Sequence, residues 1–173
     1  MKIPERLCNR LFRWALGIIG SRDPDAVIGG QDDPYLKRWW VIPRNPLFNV
    51  YLHVFLRDDN DRYLHDHPWI NLSVLLVGDY REVVFREPKT TRMFARQFQC
   101  LVGGERGIPR EAGDLVLRLP RHAHRILLSS DRVVTLFVTG PRVRKWGFYT
   151  SRGWKYWRDC VRPDDPGKLV EGL

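Results

Sequence analysis

The feature that most constrains the fold is a succession of short apolar segments, separated by turn residues, which runs from residue 37 to about residue 139. Between these segments the apolar residues do not recur with a helical period. Many short strands with turn signals between them predict a β-sandwich or a β-barrel. The predicted strands are Arg38–Ile42, Leu47–Arg57, Ile70–Val77, Tyr80–Arg86, Met93–Cys100, Leu115–Leu119, Arg125–Leu128 and Val133–Thr139.

The N-terminal part of the chain has a different pattern. Over residues 3–20, apolar residues such as Leu7, Leu11 and Ile18 recur at steps of three and four with arginines opposite, which predicts a helix packed on the flank of the domain. A helix that lies on a membrane surface is the alternative. The Asp-Pro and Gly-Gly pairs of residues 21–36 predict a connecting loop. We therefore expect a helix and loop over 1–36, a barrel over 37–162 and a disordered tail over 163–173.

Cysteine usage and hydropathy limit the class of protein. Cys8, Cys100 and Cys160 lie far apart and form no CxxC pair, which argues against a disulfide framework and a zinc knuckle and suits a reducing compartment. No early apolar run has the form of a signal peptide, and none is long enough to span a bilayer. These patterns predict a single cytoplasmic domain with no membrane partner.

The chain has a net charge of +9, and of its 29 basic residues only six are lysine. The arginines are spread along the sequence, as on a solvated surface. Because the planar guanidinium group suits carboxylate and phosphate ligands, we expect a small anionic substrate. Nucleic acid is an alternative partner, through the segment Arg142–Arg162, which interleaves arginines with aromatic residues. A homodimer is also left open.

Four of the five histidines lie in two pairs, His65-Asp66-His67 and His122-Ala123-His124. Alternate residues of a strand share a face, so the first pair can reach one ion, and imidazole suits several divalent metals. We predict one metal ion on His65, His67 and His124, because a predicted strand continues directly from His124. His122 is the alternative third ligand.

Four further residues are candidates for the pocket. Asn71 has the strand parity of His67, and His53 shares a face with Tyr51, although a lone histidine within a strand is more often a core residue. Glu82 is the nearest carboxylate beyond Gly78 and is a candidate general base, or else a surface residue of a hairpin. Tyr80 is the other candidate catalytic residue.

Two segments resemble the motifs of the cupin superfamily. His65-Asp66-His67-Pro68-Trp69-Ile70-Asn71, followed by six residues and Gly78, resembles the first motif, and Gly113 through Pro120 to His124 resembles the second. The resemblance spans roughly residues 40–140 and implies an all-β, double-stranded β-helix barrel (jelly roll) with inward-facing ligands. The sequence departs from the family at Asn71, where the family has a glutamate ligand, and at His122, where it has glycine.

Without that glutamate the site resembles the three-histidine iron sites of thiol dioxygenases, which favours Fe(II), with Zn, Ni or Mn as alternatives. A looser resemblance, to uncharacterised cupin-like proteins of bacteria and their phages, is carried by Arg38–Asn45, Tyr51–His53, Gly78–Glu82, Thr139–Arg142 and Trp146–Phe148. The sequence thus predicts a metal-binding cupin, either a dioxygenase or an isomerase or lyase. The alternative is a non-catalytic barrel of phage or prophage origin that binds a ligand or nucleic acid.

Overall fold

The computed structural model describes residues 1–30, 32–59, 63–85, 104–162 and 169–170. Within them it has a helix, α1 (Glu5–Ser21), twelve strands and a 3-10 helix (Trp157–Asp159). The strands are β1 (Ala26–Ile28), β2 (Leu36–Trp40), β3 (Asn49–Phe55), β4 (Leu64–His65), β5 (Asn71–Val77), β6 (Asp79–Phe85), β7 (Glu105–Glu111), β8 (Leu115–Arg118), β9 (His124–Leu128), β10 (Val133–Thr139), β11 (Gly147–Thr150) and β12 (Gly153–Tyr156).

The strands form two six-stranded antiparallel sheets. The first has the order β1-β2-β3-β10-β5-β8 and the second the order β12-β11-β4-β9-β6-β7. The eight strands from β3 to β10 pair as β3 with β10, β4 with β9, β5 with β8 and β6 with β7. This is a long hairpin wound into two layers, the topology of a jelly roll. The predicted all-β double-stranded β-helix is therefore confirmed.

Helix α1 covers the outer face of the first sheet. Its buried residue Ala15 packs in a cluster with Val74, Leu76 and Val134. This explains why β5 is apolar on both faces: its alternate residues, such as Leu75, point into the barrel. The predicted helix is confirmed, and among the described residues no helix is long and apolar enough to cross a bilayer.

Several strands differ from the prediction. β1 lies within the predicted loop 21–36 and pairs with β2. β4 contains His65, which was expected on a strand, whereas β7, β11 and β12 were not predicted. β7 contains Gly107 and Pro109, both poor strand formers, but it is an edge strand, where a residue without an N–H group is tolerated. A Cβ atom on Gly107 would meet the Arg81 side chain at 2.1 Å, so glycine allows that side chain to cross the strand. The predicted strand Met93–Cys100 and most of the predicted tail lie outside the described residues.

The two ends of the barrel interior differ in chemistry. One end is filled by an apolar cluster, and the other carries buried polar side chains. The apolar cluster consists of Leu36, Phe55, Leu75, Tyr80, Ile126 and Val133. The inward-facing polar residues include His53, Asn71, Glu82, Arg118, His124, Thr135 and Thr139. Buried polar groups need partners, so the polar end is where a ligand site is expected.

Candidate metal centre

Strand pairing brings three histidines of distant segments together. β4 pairs with β9 so that His65 lies directly opposite His124. Two residues further on, the backbone N–H of His67 donates to the carbonyl oxygen of Pro120 at 3.0 Å, which keeps this segment extended beside the loop that precedes β9. His65 and His67 therefore both face His124.

The three imidazoles form a compact group. One ring nitrogen from each of His65, His67 and His124 lies within 4.8 Å of the others, and Nε2 of His67 is 2.8 Å from Nε2 of His124. His122 is outside this group, with its Nε2 3.3 Å from a carboxylate oxygen of Glu82. The structure thus places together the three residues predicted as ligands, and not the alternative.

The hydrogen bonds of His124 define its tautomer. Its Nδ1 lies 3.1 Å from Oε1 of Glu82, and an ionised carboxylate only accepts, so Nδ1 carries the proton. The lone pair of Nε2 then faces His67. Burial, followed by the charge of Arg118, lowers the pKa of His124 to about 3, and burial also holds the pKa of His67 well below its ordinary value. Both rings are neutral near pH 7, the form in which imidazole binds metal.

Glu82 is fully buried, and both of its carboxylate oxygens are occupied. Oε1 accepts from Arg118 Nε at 2.6 Å and Oε2 from Arg110 Nε at 2.8 Å. Burial alone would raise the pKa of Glu82, but the contacts with His122 and His124 and the Arg118 charge bring it well below its ordinary value. These contacts fit a role in orienting His124 better than the predicted role as general base.

Tyr80, the other candidate catalytic residue, is also buried. Its hydroxyl oxygen accepts a hydrogen bond from Arg118 Nη2 at 3.0 Å. Burial raises the pKa of Tyr80, so the hydroxyl stays protonated. Its contacts connect it to the Glu82–Arg118 pair and to the apolar cluster, and its predicted catalytic role stays a prediction.

Asp66 is an important residue that the sequence reasoning missed. It is 0% exposed, on the opposite side of the strand from its two histidine neighbours, and it accepts from the Gly147 backbone N–H at 2.8 Å and from Trp154 Nε1 at 3.1 Å. Arg144 forms an ion pair with it and also donates to the carbonyl oxygen of Pro120. Arg144 thus connects the two segments that carry the candidate ligands. The sequence feature that could have revealed this role is an acidic residue between two histidines. Because side chains alternate along a strand, Asp66 points away from the site, where it can meet a cation.

A second carboxylate lies beside His65. Asp59 is nearly fully buried, and its Oδ2 is 3.4 Å from Nδ1 of His65. His65 and His124 therefore each have a buried carboxylate next to Nδ1. Carboxylates in this position fix the orientation of a ligating imidazole and raise its basicity.

The remaining pocket candidates lie inside the barrel but outside the three-histidine group. Asn71 is 2% exposed, in register with Arg118 on β8 and Thr139 on β10, and neither of its amide atoms has a hydrogen-bond partner among the described residues. His53 is buried and accepts a hydrogen bond from Arg38 Nε at 2.9 Å. Asn71 thus brings unsatisfied polar atoms to the polar end of the barrel, whereas His53 is satisfied.

No protein-family model matches the sequence, and neither does any curated protein. Solved structures do. They include a cupin superfamily protein of Desulfitobacterium hafniense DCB-2 (13% identity, 72% of this chain and 85% of that chain, TM-score 0.45) and an RmlC-like cupin of Shewanella frigidimarina NCIMB 400 (15%, 71% and 86%, TM-score 0.47). Another is the oxalate decarboxylase of Bacillus subtilis, described with Mn(II) centres (17%, 75% and 30%, TM-score 0.47). The strand order and pairing of this chain themselves define a double-stranded β-helix of the jelly-roll type.

Proposed function

We propose that this protein is a metal-dependent enzyme whose His65, His67 and His124 hold one divalent ion at the polar end of the barrel. The observation that carries the proposal is the 2.8 Å separation of the Nε2 atoms of His67 and His124, both in neutral rings. Bonds of about 2.0–2.1 Å to a shared ion place ligand nitrogens about 3–4 Å apart. Small side-chain rotations are enough to reach that arrangement.

The donor set indicates the kind of ion. Imidazole nitrogens suit Fe(II), Zn and Ni, whereas Mn prefers oxygen ligands and is the weaker alternative. We take Fe(II) as the first candidate because of the resemblance to three-histidine iron sites. Asn71 stands where cupins have a glutamate, so none of the three ligands itself carries a negative charge. A bound ion would supply Lewis acidity at its open positions and, as Fe(II), oxygen chemistry. An oxygenase-type reaction is therefore our first proposal, and an isomerase or lyase reaction the second.

The protein's own residues orient the ligands and exclude water. Glu82 holds His124 in the tautomer that presents Nε2, and the Asp66–Arg144 pair holds the backbone of His67. Aromatic rings surround the imidazoles at centroid distances of 5.9 to 6.4 Å. They are Phe137, Trp146 and Phe148. A partly enclosed site of this kind strengthens electrostatic attraction to an anionic substrate.

The nucleic-acid alternative has less support. In the segment Arg142–Arg162, Trp146 stacks on Trp157 with centroids 5.4 Å apart, and the Trp154 indole N–H donates to Asp66. Rings that pack against each other and donate to a buried carboxylate are less available for stacking on bases. Closure of the barrel end explains these aromatic residues better.

The test is elemental analysis of untagged protein purified without chelators. We expect close to one equivalent of a divalent metal per chain, most of it lost in His67→Ala. His122→Ala is the matched control and should keep its metal. Protein without metal that also binds none on addition, or equal metal in His67→Ala, would refute the proposal.

A further inference from the structure

Six apolar residues at the histidine end of the first sheet are each 40% to 70% exposed. We call them the apolar rim, and they are Leu47, Phe48, Ile70, Leu117, Leu119 and Val143. Asn71, Arg118 and Thr139 form a paired row at this end of the sheet, and their side chains are buried in the barrel. Because neighbouring residues of a strand point to opposite faces, Ile70 and Leu119 point outward. Exposed apolar side chains that adjoin one another mark an interaction surface.

Hydrogen bonds fix the tip of the rim. Oδ1 of Asn45 accepts from the backbone N–H groups of Leu47 and Phe48, at 3.0 and 3.1 Å. Asn49 closes the same turn: its Oδ1 accepts from the Asn45 N–H at 3.0 Å, and its Nδ2 donates to the Asn45 carbonyl oxygen at 2.9 Å. The turn therefore presents two apolar side chains to solvent on an ordered backbone.

Two other rim residues adjoin the segments that carry the candidate ligands. The backbone N–H of Val143 donates to the carbonyl oxygen of Pro68 at 2.8 Å. Leu119 precedes Pro120, whose carbonyl oxygen accepts from the His67 N–H. The apolar rim therefore borders the end of the barrel that holds the three histidines.

Basic residues are interleaved with the rim, and exposed acidic residues are not. Four loops at this end of the barrel span residues 41–48, 66–70, 119–123 and 140–146. Their fully exposed basic residues are Arg44, Arg121, Arg142 and Lys145. Their one acidic residue is Asp66, which is buried and paired with Arg144. None of the four exposed cations forms an ion pair with a carboxylate of a residue that the structure describes. The rim therefore lies in a positively charged surround.

This combination favours an anionic lipid surface over other partners. A second copy of the same face would bring the same cations together without acidic residues between them, and like charges repel. Single-stranded nucleic acid needs flat rings on which bases stack, but five of the six rim side chains are aliphatic. Aliphatic side chains instead enter the boundary between headgroups and acyl chains of a bilayer, and arginine and lysine are attracted to anionic headgroups.

We propose that the apolar rim and its basic residues bind the surface of an anionic lipid bilayer. This inference stands on the rim and its charges alone and does not rest on the proposed metal-dependent function. No membrane partner was predicted from the sequence, because no apolar segment is long enough to span a bilayer. A surface contact of this kind needs no such segment. Bound in this way, the end of the barrel that holds the three histidines lies next to the bilayer.

The test is sedimentation of the protein with vesicles of phosphatidylcholine alone, or of phosphatidylcholine and phosphatidylglycerol in equal amounts. Wild type should bind the anionic vesicles more tightly, and added salt should weaken this binding because it screens the attraction. Leu47→Ser removes an apolar side chain at a position that is 70% exposed, where the fold loses little, and should weaken binding about tenfold. Arg121→Gln removes one charge and should weaken binding about fivefold.

Two variants away from the rim are the matched controls. Leu7→Ser changes an exposed leucine of α1, and Arg132→Gln changes an exposed arginine beside Gly78, at the other end of β5 from Ile70. Both should bind the anionic vesicles as wild type does. An equal loss of binding in Leu7→Ser would mean that the helix makes the contact, and would overturn the inference.

Three other results would also overturn it. The first is wild type that binds neither kind of vesicle, or binds both equally well. The second is binding that Leu47→Ser leaves unchanged, since charge alone would then explain it. The third is a dimer, measured by size-exclusion chromatography, that Leu47→Ser dissociates, because a second copy would then cover the rim.

Discussion

The segments His65-Asp66-His67 and His122-Ala123-His124 have the same spacing but different backbones. In the first, the His67 N–H donates across to Pro120, so the segment stays extended and both histidines face the centre. In the second, the His122 N–H donates back to the carbonyl oxygen of Leu119, three residues earlier, and forms a turn. Only His124, at the start of β9, joins the group. Spacing of two residues therefore predicts a shared face only where the backbone is extended.

The residue between the histidines differs too. Asp66 is a fully buried carboxylate with four side-chain or backbone donors, whereas Ala123 packs in an apolar cluster with Leu64 and Val83. The first segment is thus fixed by a polar network behind the site, and the second by apolar packing. The network is directional and ties the His67 backbone to Arg144, which apolar packing cannot do.

The largest effect that would test this difference is expected from Asp66→Asn. Removing one charge of a buried pair costs about 3 kcal/mol or more, and Arg144 would lose its partner. We expect the free energy of unfolding, measured in urea, to fall by about that amount. Arg121→Met, next to the second pair but exposed, should change it little. Equal stability of the two variants would show that the network does not hold the first segment.

The second largest effect distinguishes a histidine inside the three-histidine group from His122, which lies outside it. At about one hundred times the dissociation constant, a metal that binds only the folded state stabilises it by about 2.7 kcal/mol. We expect most of this gain, measured as a Ni(II)-induced rise in melting temperature, to be absent in His67→Ala and retained in His122→Ala. The reverse result would make His122 the ligand.

A smaller effect is expected from a change at Glu82, whose carboxylate accepts from Nδ1 of His124. Glu82→Gln replaces the acceptor at Nδ1 with an amide and loses the charge that orients the ring. Loss of such a partner lowers metal affinity by about 10- to 100-fold. Glu105→Gln, which affects only a half-exposed ion pair with Arg125, is the matched control. Unchanged Zn affinity in Glu82→Gln would mean that packing alone holds His124.

The smallest effect is expected at Asn71. A glutamate there would add a charged ligand, so Asn71→Glu should tighten resting metal binding a few-fold and weaken competition by small carboxylates or thiolates. Asn71→Gln has the same length without the charge and should do neither. Competition assays with a chromophoric chelator, with and without the anion, measure both changes. If the two variants behave alike, Asn71 is a core residue and the argument for an open site fails.

Much of the fold could be predicted from apolar periodicity, because β3, β5, β6, β8, β9 and β10 are apolar enough to be recognised as strands. The edge strand β7 could not, since Gly107 and Pro109 are acceptable there only because one of its edges is unpaired. The grouping of His65, His67 and His124 could be predicted from spacing and motif resemblance. The contacts of Glu82, Asp66 and Arg38 could not be predicted, because each depends on which strands become neighbours in the two sheets.

The most direct test of the central claim is anomalous diffraction from crystals of Zn-loaded protein. We predict one strong peak within about 2.0–2.1 Å of Nε2 of His67 and Nε2 of His124, with a ring nitrogen of His65 as the third ligand. A peak that includes His122 instead of His124, or a metal bound away from all three histidines, would contradict it.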